Sequence, residues 1–383
     1  MARCPLVIDD LILDDVAAML ALDVSNMLAA TASAGAQVRR GLAELDHHVI
    51  RRVSDAGQPR AVVVTGMGGS GISGQVLEAL SHQCSSIPVV SARGYGLPSW
   101  VGVDDLVVAL SCSGTTEETI SATQEAARRG ARLVSITTVG SPLHQLTQSV
   151  RGAESLVVDA QGRMPRASLW TLLTPLLMLG DALGIVSVKE SELNSTADMI
   201  DEVGHHCAVE RMSFENPAKL LAVQLATSLP MVWGTGAIGP VAAYRLTSQL
   251  AENAKLPAVS GEIPESQHNQ VVAFDGPAAG LASAEAIFDD SDATGLNRRL
   301  RLVLLRDTVE HSQTSRRSDI VADMAQRRGI PISRVDATGM HAVQRLATLV
   351  ATTDWASVYA ALSLGIDPSP IGPINELKTR LVD

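Results

Sequence analysis

Short, wholly apolar runs alternate along this chain with stretches whose apolar residues recur every three or four positions. Residues 60–74, RAVVVTGMGGSGISG, join a β-branched run to a glycine-rich turn and a helix start, and 75–80 continue at helical spacing. Residues 88–92, 106–110 and 132–137 read as further strands, and 117–129 as a helix closed by Gly130. Runs this short and uniformly apolar fit strands buried on both faces. The pattern therefore predicts an α/β fold in which parallel sheets are flanked by helices. Upstream, Val16, Met19, Leu20, Met27 and Leu28 predict helix over 14–45, in two pieces around 31–35. Residues 169–179 are apolar apart from Thr171, Thr174 and Pro175, and are too few to span a membrane, so they predict a buried helix.

The plan repeats in weaker form. Residues 229–233 followed by GTGAIGPVAAYRLTSQL echo 62–80, and 301–305, 312–328 and 332–335 echo 106–136. EAARRGARLVSIT matches DMAQRRGIPISRVD most closely. The expected organisation is an N-terminal helical segment (1–57), a first lobe (58–150), a helical connector (151–214), a second lobe (215–340) and C-terminal helices (341–383). The second lobe carries RDTVEHSQ where the first has SCSGTTEE, so only the first keeps a loop of hydroxyls.

Composition narrows the classes. A length of 383 residues accommodates two domains, and a 46% hydrophobic content excludes wholesale disorder. A net charge of −11 disfavours nucleic acid as a partner. Asp9, Asp10, Asp14 and Asp15 stand where a basic leader would, so neither a signal peptide nor a membrane anchor is expected. Cys4, Cys84, Cys112 and Cys207 are scattered, which argues against a disulfide framework and a zinc site and fits a reducing cytoplasm. The pairs His47–His48 and His205–His206 do not face one metal, because adjacent helical residues diverge. No cofactor or metal is expected. Lysine occurs only at 189, 219, 255 and 378.

Two loops carry candidate chemistry. TGMGGSGISG and LSCSGTTEET each follow a predicted strand and precede a helix N-terminus, where backbone amides and the helix dipole favour an anion. The first lacks dinucleotide glycine spacing and the Gly-Lys-Ser/Thr of a P-loop. Hydroxyls in the second would wrap phosphate oxygens. Equally, Ser and Thr ahead of Glu117 and Glu118 would serve as a capping box.

GMGGSGISG and S-x-S-G-x-T in one α/β lobe resemble the sugar isomerase (SIS) domain. Over most of its length the chain resembles the bifunctional phosphoglucose/phosphomannose isomerase family. The resemblance implies two flavodoxin-like, doubly wound SIS lobes and a homodimer, with a hexose 6-phosphate held by Gly68, Gly69, Ser70, Ser111, Ser113 and Thr116. In QLAENAKLPAVSGEIPESQHNQ it implies Glu252 as catalytic base, and His268 as a ring-opening histidine lent by the neighbouring subunit. In GIDPSPIGPINELK it implies Lys378, and in MPRASLW an arginine, Arg166, that steadies an enediolate. The implied reaction is metal-independent interconversion of fructose 6-phosphate with glucose 6-phosphate or mannose 6-phosphate through a cis-enediolate.

Plainer readings stand beside these. Glu252 also reads as a solvated helix residue paired to Lys255, His268 as a surface-loop histidine, Arg166 as a loop anchor, and Lys378 as a cation suited to a helix C-terminus. Thr115, Gln75 and Gln270 depart from the family pattern, which bears on specificity. The alternatives are a non-catalytic sugar-phosphate sensor and an SIS isomerase for another sugar phosphate. A DNA-binding sensor domain is disfavoured because residues 1–57 hold eight Asp or Glu against five Arg.

Overall fold

The structure, a computed structural model, describes residues 8–279 and 299–382; Cys4, Asp383 and residues 280–298 of the expected second lobe lie outside the described residues. The chain divides into two compact units, one of 33–201 with 339–347, the other of 202–338 with 348–382 and the N-terminal residues up to 32.

The first unit holds five strands: β1 (Val62–Thr65), β2 (Val89–Ala92), β3 (Leu106–Ser111), β4 (Arg132–Thr137) and β5 (Glu154–Val157). All pair in parallel, in the order β2-β1-β3-β4-β5, with Val62 opposite both Val89 and Leu106. β1 and β3 are buried along their whole length, as central strands covered on both faces must be. Between β1 and β3 the winding direction reverses, which places a crevice beyond their carboxyl ends.

Among the helices here, α3 (Ala34–Ala43), α4 (His47–Asp55) and α8 (Leu169–Ala182) precede or follow the sheet. Helices α5 (Gly68–Ser81), α6 (Glu117–Arg129) and α7 (Pro142–Ser149) connect its strands. α6 begins and ends where the pattern predicts, with Gly130 at φ 70° closing it in the left-handed conformation. α8 is buried almost throughout, as its sequence implies. At the amino-terminal end of the sheet, Arg60 donates to both carboxylate oxygens of Asp105, at 2.9 and 2.7 Å. That guanidinium holds the Asp105 carboxyl below the usual carboxylate range.

The second unit holds β6 (Ser228–Gly234), β7 (Val259–Glu262), β8 (Arg299–Arg306) and β9 (Ile332–Asp336). These too are parallel, in the order β7-β6-β8-β9 among the described residues. Trp233, Phe274, Leu302 and Leu304 centre its core, with the Trp233 and Phe274 rings stacked at 5.7 Å. Around it lie α10 (Pro217–Ala226), α11 (Gly239–Gln249) and α12 (Ser312–Arg327); α9 spans Glu190–His206, α13 Ala342–Ser363 and α14 Gly372–Val382.

The N-terminal segment is more divided than the two pieces expected: α1 (Val16–Leu22) and α2 (Met27–Ala32) precede α3 and α4. Buried Asp23 causes the extra break. Its carboxylate accepts from Met27 N at 2.7 Å and Leu28 N at 2.8 Å, restarting the helix. Asp14 then accepts from Ser213 N and Oγ, both at 2.7 Å, and lies 4.0 Å from the buried Lys219 ammonium. Lys219 donates to the carbonyls of Val209 and Arg211, so its charge is enclosed but hydrogen-bonded. Among the described residues, no helix is long and apolar enough to cross a membrane.

Candidate active site

Both anion-favouring loops lie at the switch point between β1 and β3. α5 starts at Gly68, whose φ of 53° lies in the left-handed region that favours glycine. Ser70 and Gly71 already donate to the Met67 carbonyl, so the amides ahead of them are ones a helix leaves without an internal partner. Gly69 allows a close approach: a Cβ there would lie 3.1 Å from the Pro165 carbonyl. That contact sets the short 3₁₀ turn Pro165–Ala167, and with it buried Arg166, against the start of α5.

The hydroxyl loop 112–116 joins β3 to α6. Thr116 is the N-cap of α6, but its side chain makes no capping bond. Its hydroxyl lies 3.0 Å from Ser111 Oγ, which also accepts from Gly114 N at 3.0 Å. Exposed Ser113 accepts from the Thr115 amide at 3.3 Å and the Thr115 hydroxyl at 3.0 Å. The capping-box reading therefore fails for Thr116; its hydroxyl turns toward a cluster of hydroxyls. Cys112, the buried first residue of this loop, has its thiol pushed up by burial, against which a hydrogen bond with the Ser168 side chain acts. So Gly68, Gly69, Ser70, Ser111, Ser113, Thr116 and Arg166 belong to one local assembly in the first unit.

Sequence reading passed over Arg93. It follows β2 at the same end of the sheet, and its Nε lies 3.0 Å from the point a Gly71 Cβ would occupy. Its position directly after a predicted strand was the available signal.

Glu252, His268 and Lys378 belong to the second unit. α11 runs on into a wide π-type turn, Leu250–Ala254, which carries Glu252 half-buried. One face of this segment is fixed to α13. Arg245 reaches Asp354 at 2.9 and 2.7 Å, Gln249 adds a bond at 3.1 Å, and Asn253 donates to Ser357 at 2.9 Å. Lys255 Nζ donates to the Glu252 carbonyl oxygen at 2.7 Å, a bond to the main chain.

His268 ends the short 3₁₀ segment Glu265–His268 and is exposed. Lys378 lies on α14, where residues 372–381 are all exposed. Gln270 braces the second core. Its Oε1 accepts from buried Trp233 Nε1 at 2.7 Å, and its Nε2 donates to the Ser260 carbonyl at 3.0 Å. An acid at this position would lack that second donor.

The equivalent crevice of the second unit, between β6 and β8, is differently furnished. Fully buried Asp307 follows β8, and its Cβ lies 2.6 Å from where a Gly236 Cβ would be. Arg306 pairs beside it with Glu310 and, at 3.2 Å, with Asp319. A carboxylate thus stands where the first unit has hydroxyls.

Residues 58–185 match the SIS domain family, and 214–381 match the bacterial phospho-glucose isomerase C-terminal SIS domain. The chain is similar to a bifunctional phosphoglucose/phosphomannose isomerase of Caldicellulosiruptor bescii, 31% identical over 322 residues, or 84% of this chain and 89% of that protein. A protein so named from Aquifex aeolicus is 29% identical over 323 residues, 84% of this chain and 90% of its own. A solved structure of a hypothetical protein from Thermus thermophilus superimposes with a TM-score of 0.69 at 14% identity, covering 97% of this chain and 94% of its own. That likeness is one of fold.

Proposed function

This chain belongs to the bifunctional phosphoglucose/phosphomannose isomerase family, and from that premise we propose that it interconverts fructose 6-phosphate with glucose 6-phosphate and mannose 6-phosphate. The observation that carries the site assignment is the turning of the Thr116 hydroxyl toward Ser111, away from its own helix. An N-cap that forgoes its usual bond leaves the helix amides to another acceptor.

In this reading the phosphate rests on Gly68, Gly69, Ser70, Ser111, Ser113 and Thr116. It takes no part in bond-making; holding it converts binding energy into orientation of C1 and C2. The hexose arrives mainly as a ring, and His268 and Lys378 handle the protons exchanged at the ring oxygen and anomeric hydroxyl on opening. Glu252 then removes the proton from C2 of the aldose and returns it to C1, by way of a cis-enediolate. Arg166 balances the negative charge of that intermediate. The bracing of Asn253 and Gln249 on α13 supports the choice of Glu252, since a base must be held still to serve as one. No step is assigned to a metal.

The reading includes a cytoplasmic homodimer with His268 shared between subunits, and the exposure of His268 on its own chain supports that sharing. The test is turnover of fructose 6-phosphate by metal-stripped protein, with both aldoses quantified. Formation of either, lost in Glu252→Gln, supports the proposal, and their ratio gives the preference. Absence of turnover while fructose 6-phosphate still raises the melting temperature would turn the reading toward a sensor.

A further inference from the structure

Lys255 closes the turn that carries Glu252, and its backbone is in the left-handed region at φ 58°. Such a helix-ending position is ordinarily filled by glycine or asparagine, because other side chains are strained there. Local conformation therefore argues against a lysine, in a chain with only four of them. A residue kept against its backbone preference points to a role for the side chain.

That side chain has one. The ammonium has three donors, and Nζ donates to the carbonyls of Glu252 at 2.7 Å, Asn253 at 3.1 Å and Pro368 at 3.3 Å. The first two are carbonyls that the end of a helix leaves exposed. The third lies more than a hundred residues away, in the buried Pro368–Ser369 stretch between α13 and α14. Ser369 N in turn bonds Asp367 Oδ1 at 2.9 Å, which fixes the local path of this stretch.

We propose that Lys255 is a positioning residue: its ammonium ties the turn bearing Glu252 to the loop that leads into the helix bearing Lys378. One cation then sets both the base and the start of the C-terminal helix. This rests on the reading of Glu252 as base, and deepens it.

Lys255→Gly is the informative variant, because glycine relieves the backbone while removing the ammonium. Lys255→Met keeps the aliphatic stem and guards against an effect of glycine itself. Hydrogen–deuterium exchange and steady-state kinetics on fructose 6-phosphate are measured for both and for the parent. The expected result is an unchanged melting temperature, faster exchange confined to residues 250–256 and 366–375, and kcat lowered about 10- to 100-fold with KM within twofold. Alkylating Lys255→Cys with 2-bromoethylamine rebuilds a lysine-like ammonium and restores kcat, with the treated parent as control. Unchanged exchange over 366–375 overturns the tie. Faster exchange with parental kcat overturns the positioning role. A parent that does not turn over sinks the isomerase reading instead, and the exchange comparison still decides the tie.

Discussion

Thr116 stands at the N-cap of α6, yet its hydroxyl lies 3.0 Å from Ser111 Oγ and makes no capping bond to its own helix. Ser111 is almost wholly buried and Ser113, two residues on, is exposed. In the proposed site the buried hydroxyl would be the frame and the exposed one the contact. Ser113→Ala is expected to raise KM for hexose 6-phosphates about tenfold, the scale of a hydrogen bond to a charged group, with kcat little changed. An unchanged KM would remove this loop from the phosphate site.

Glu252→Gln keeps the size of the side chain and removes the proposed base. Turnover should fall by about 10²–10⁴-fold, the ordinary contribution of a general base, while substrate still shifts the melting temperature. Loss of that shift along with turnover would make Glu252 structural.

Exposed His268 lends itself to complementation. His268→Ala and Glu252→Gln proteins, each inactive alone, should regain part of the parental rate when mixed and allowed to exchange subunits. A mixture no more active than its components would place the histidine and the base in a site built by a single chain.

Asp105 gives a pH prediction. Arg60 depresses its carboxyl, and a depressed group contributes its stability above the unfolded value, about 3.9, and loses it as pH falls through the folded value. Asp105→Asn should therefore melt below the parent at pH 7, with the gap closing in the acid range below pH 4. A gap that stays constant across that range would mean the pair contributes through shape rather than charge.

Gln270→Glu tests whether the departure from the family pattern is structural. The acid leaves the Ser260 carbonyl without its donor, and denaturant unfolding should show a loss of about 1–3 kcal/mol. Parental stability with altered glucose-to-mannose product ratio would return Gln270 to the question of specificity.

Most of the central strands were legible in the sequence because burial on both faces forces an uninterrupted apolar run, as in β1, β3 and β4. β5 and β7 were not. Both are four-residue strands at sheet edges among the described residues, with little to bury: β5 exposes Val157 and anchors Glu154 to Arg52, and β7 is VSGE. The limits of α6 were readable from Glu117 and Gly130, since caps are written in residue type. The π turn of 250–254 was not, because its width is set by distant partners, Asp354 and Ser357, that no local pattern announces. The same holds for Gln270, whose role depends on Trp233. Motif spacing drew attention to the loop hydroxyls, but the orientation of Thr116, toward Ser111 and away from its own helix, emerged only from the fold.

With the phosphate site proposed for the first unit, Asp307 implies a stoichiometry. Two lobes of one topology invite the expectation of paired sites, and an anion drawn to the second crevice meets a carboxylate already installed there. Titrated with inorganic phosphate in a calorimeter, the chain should saturate at a single equivalent. Exchanging Asp307 for a hydroxyl would be the natural place to look for a second.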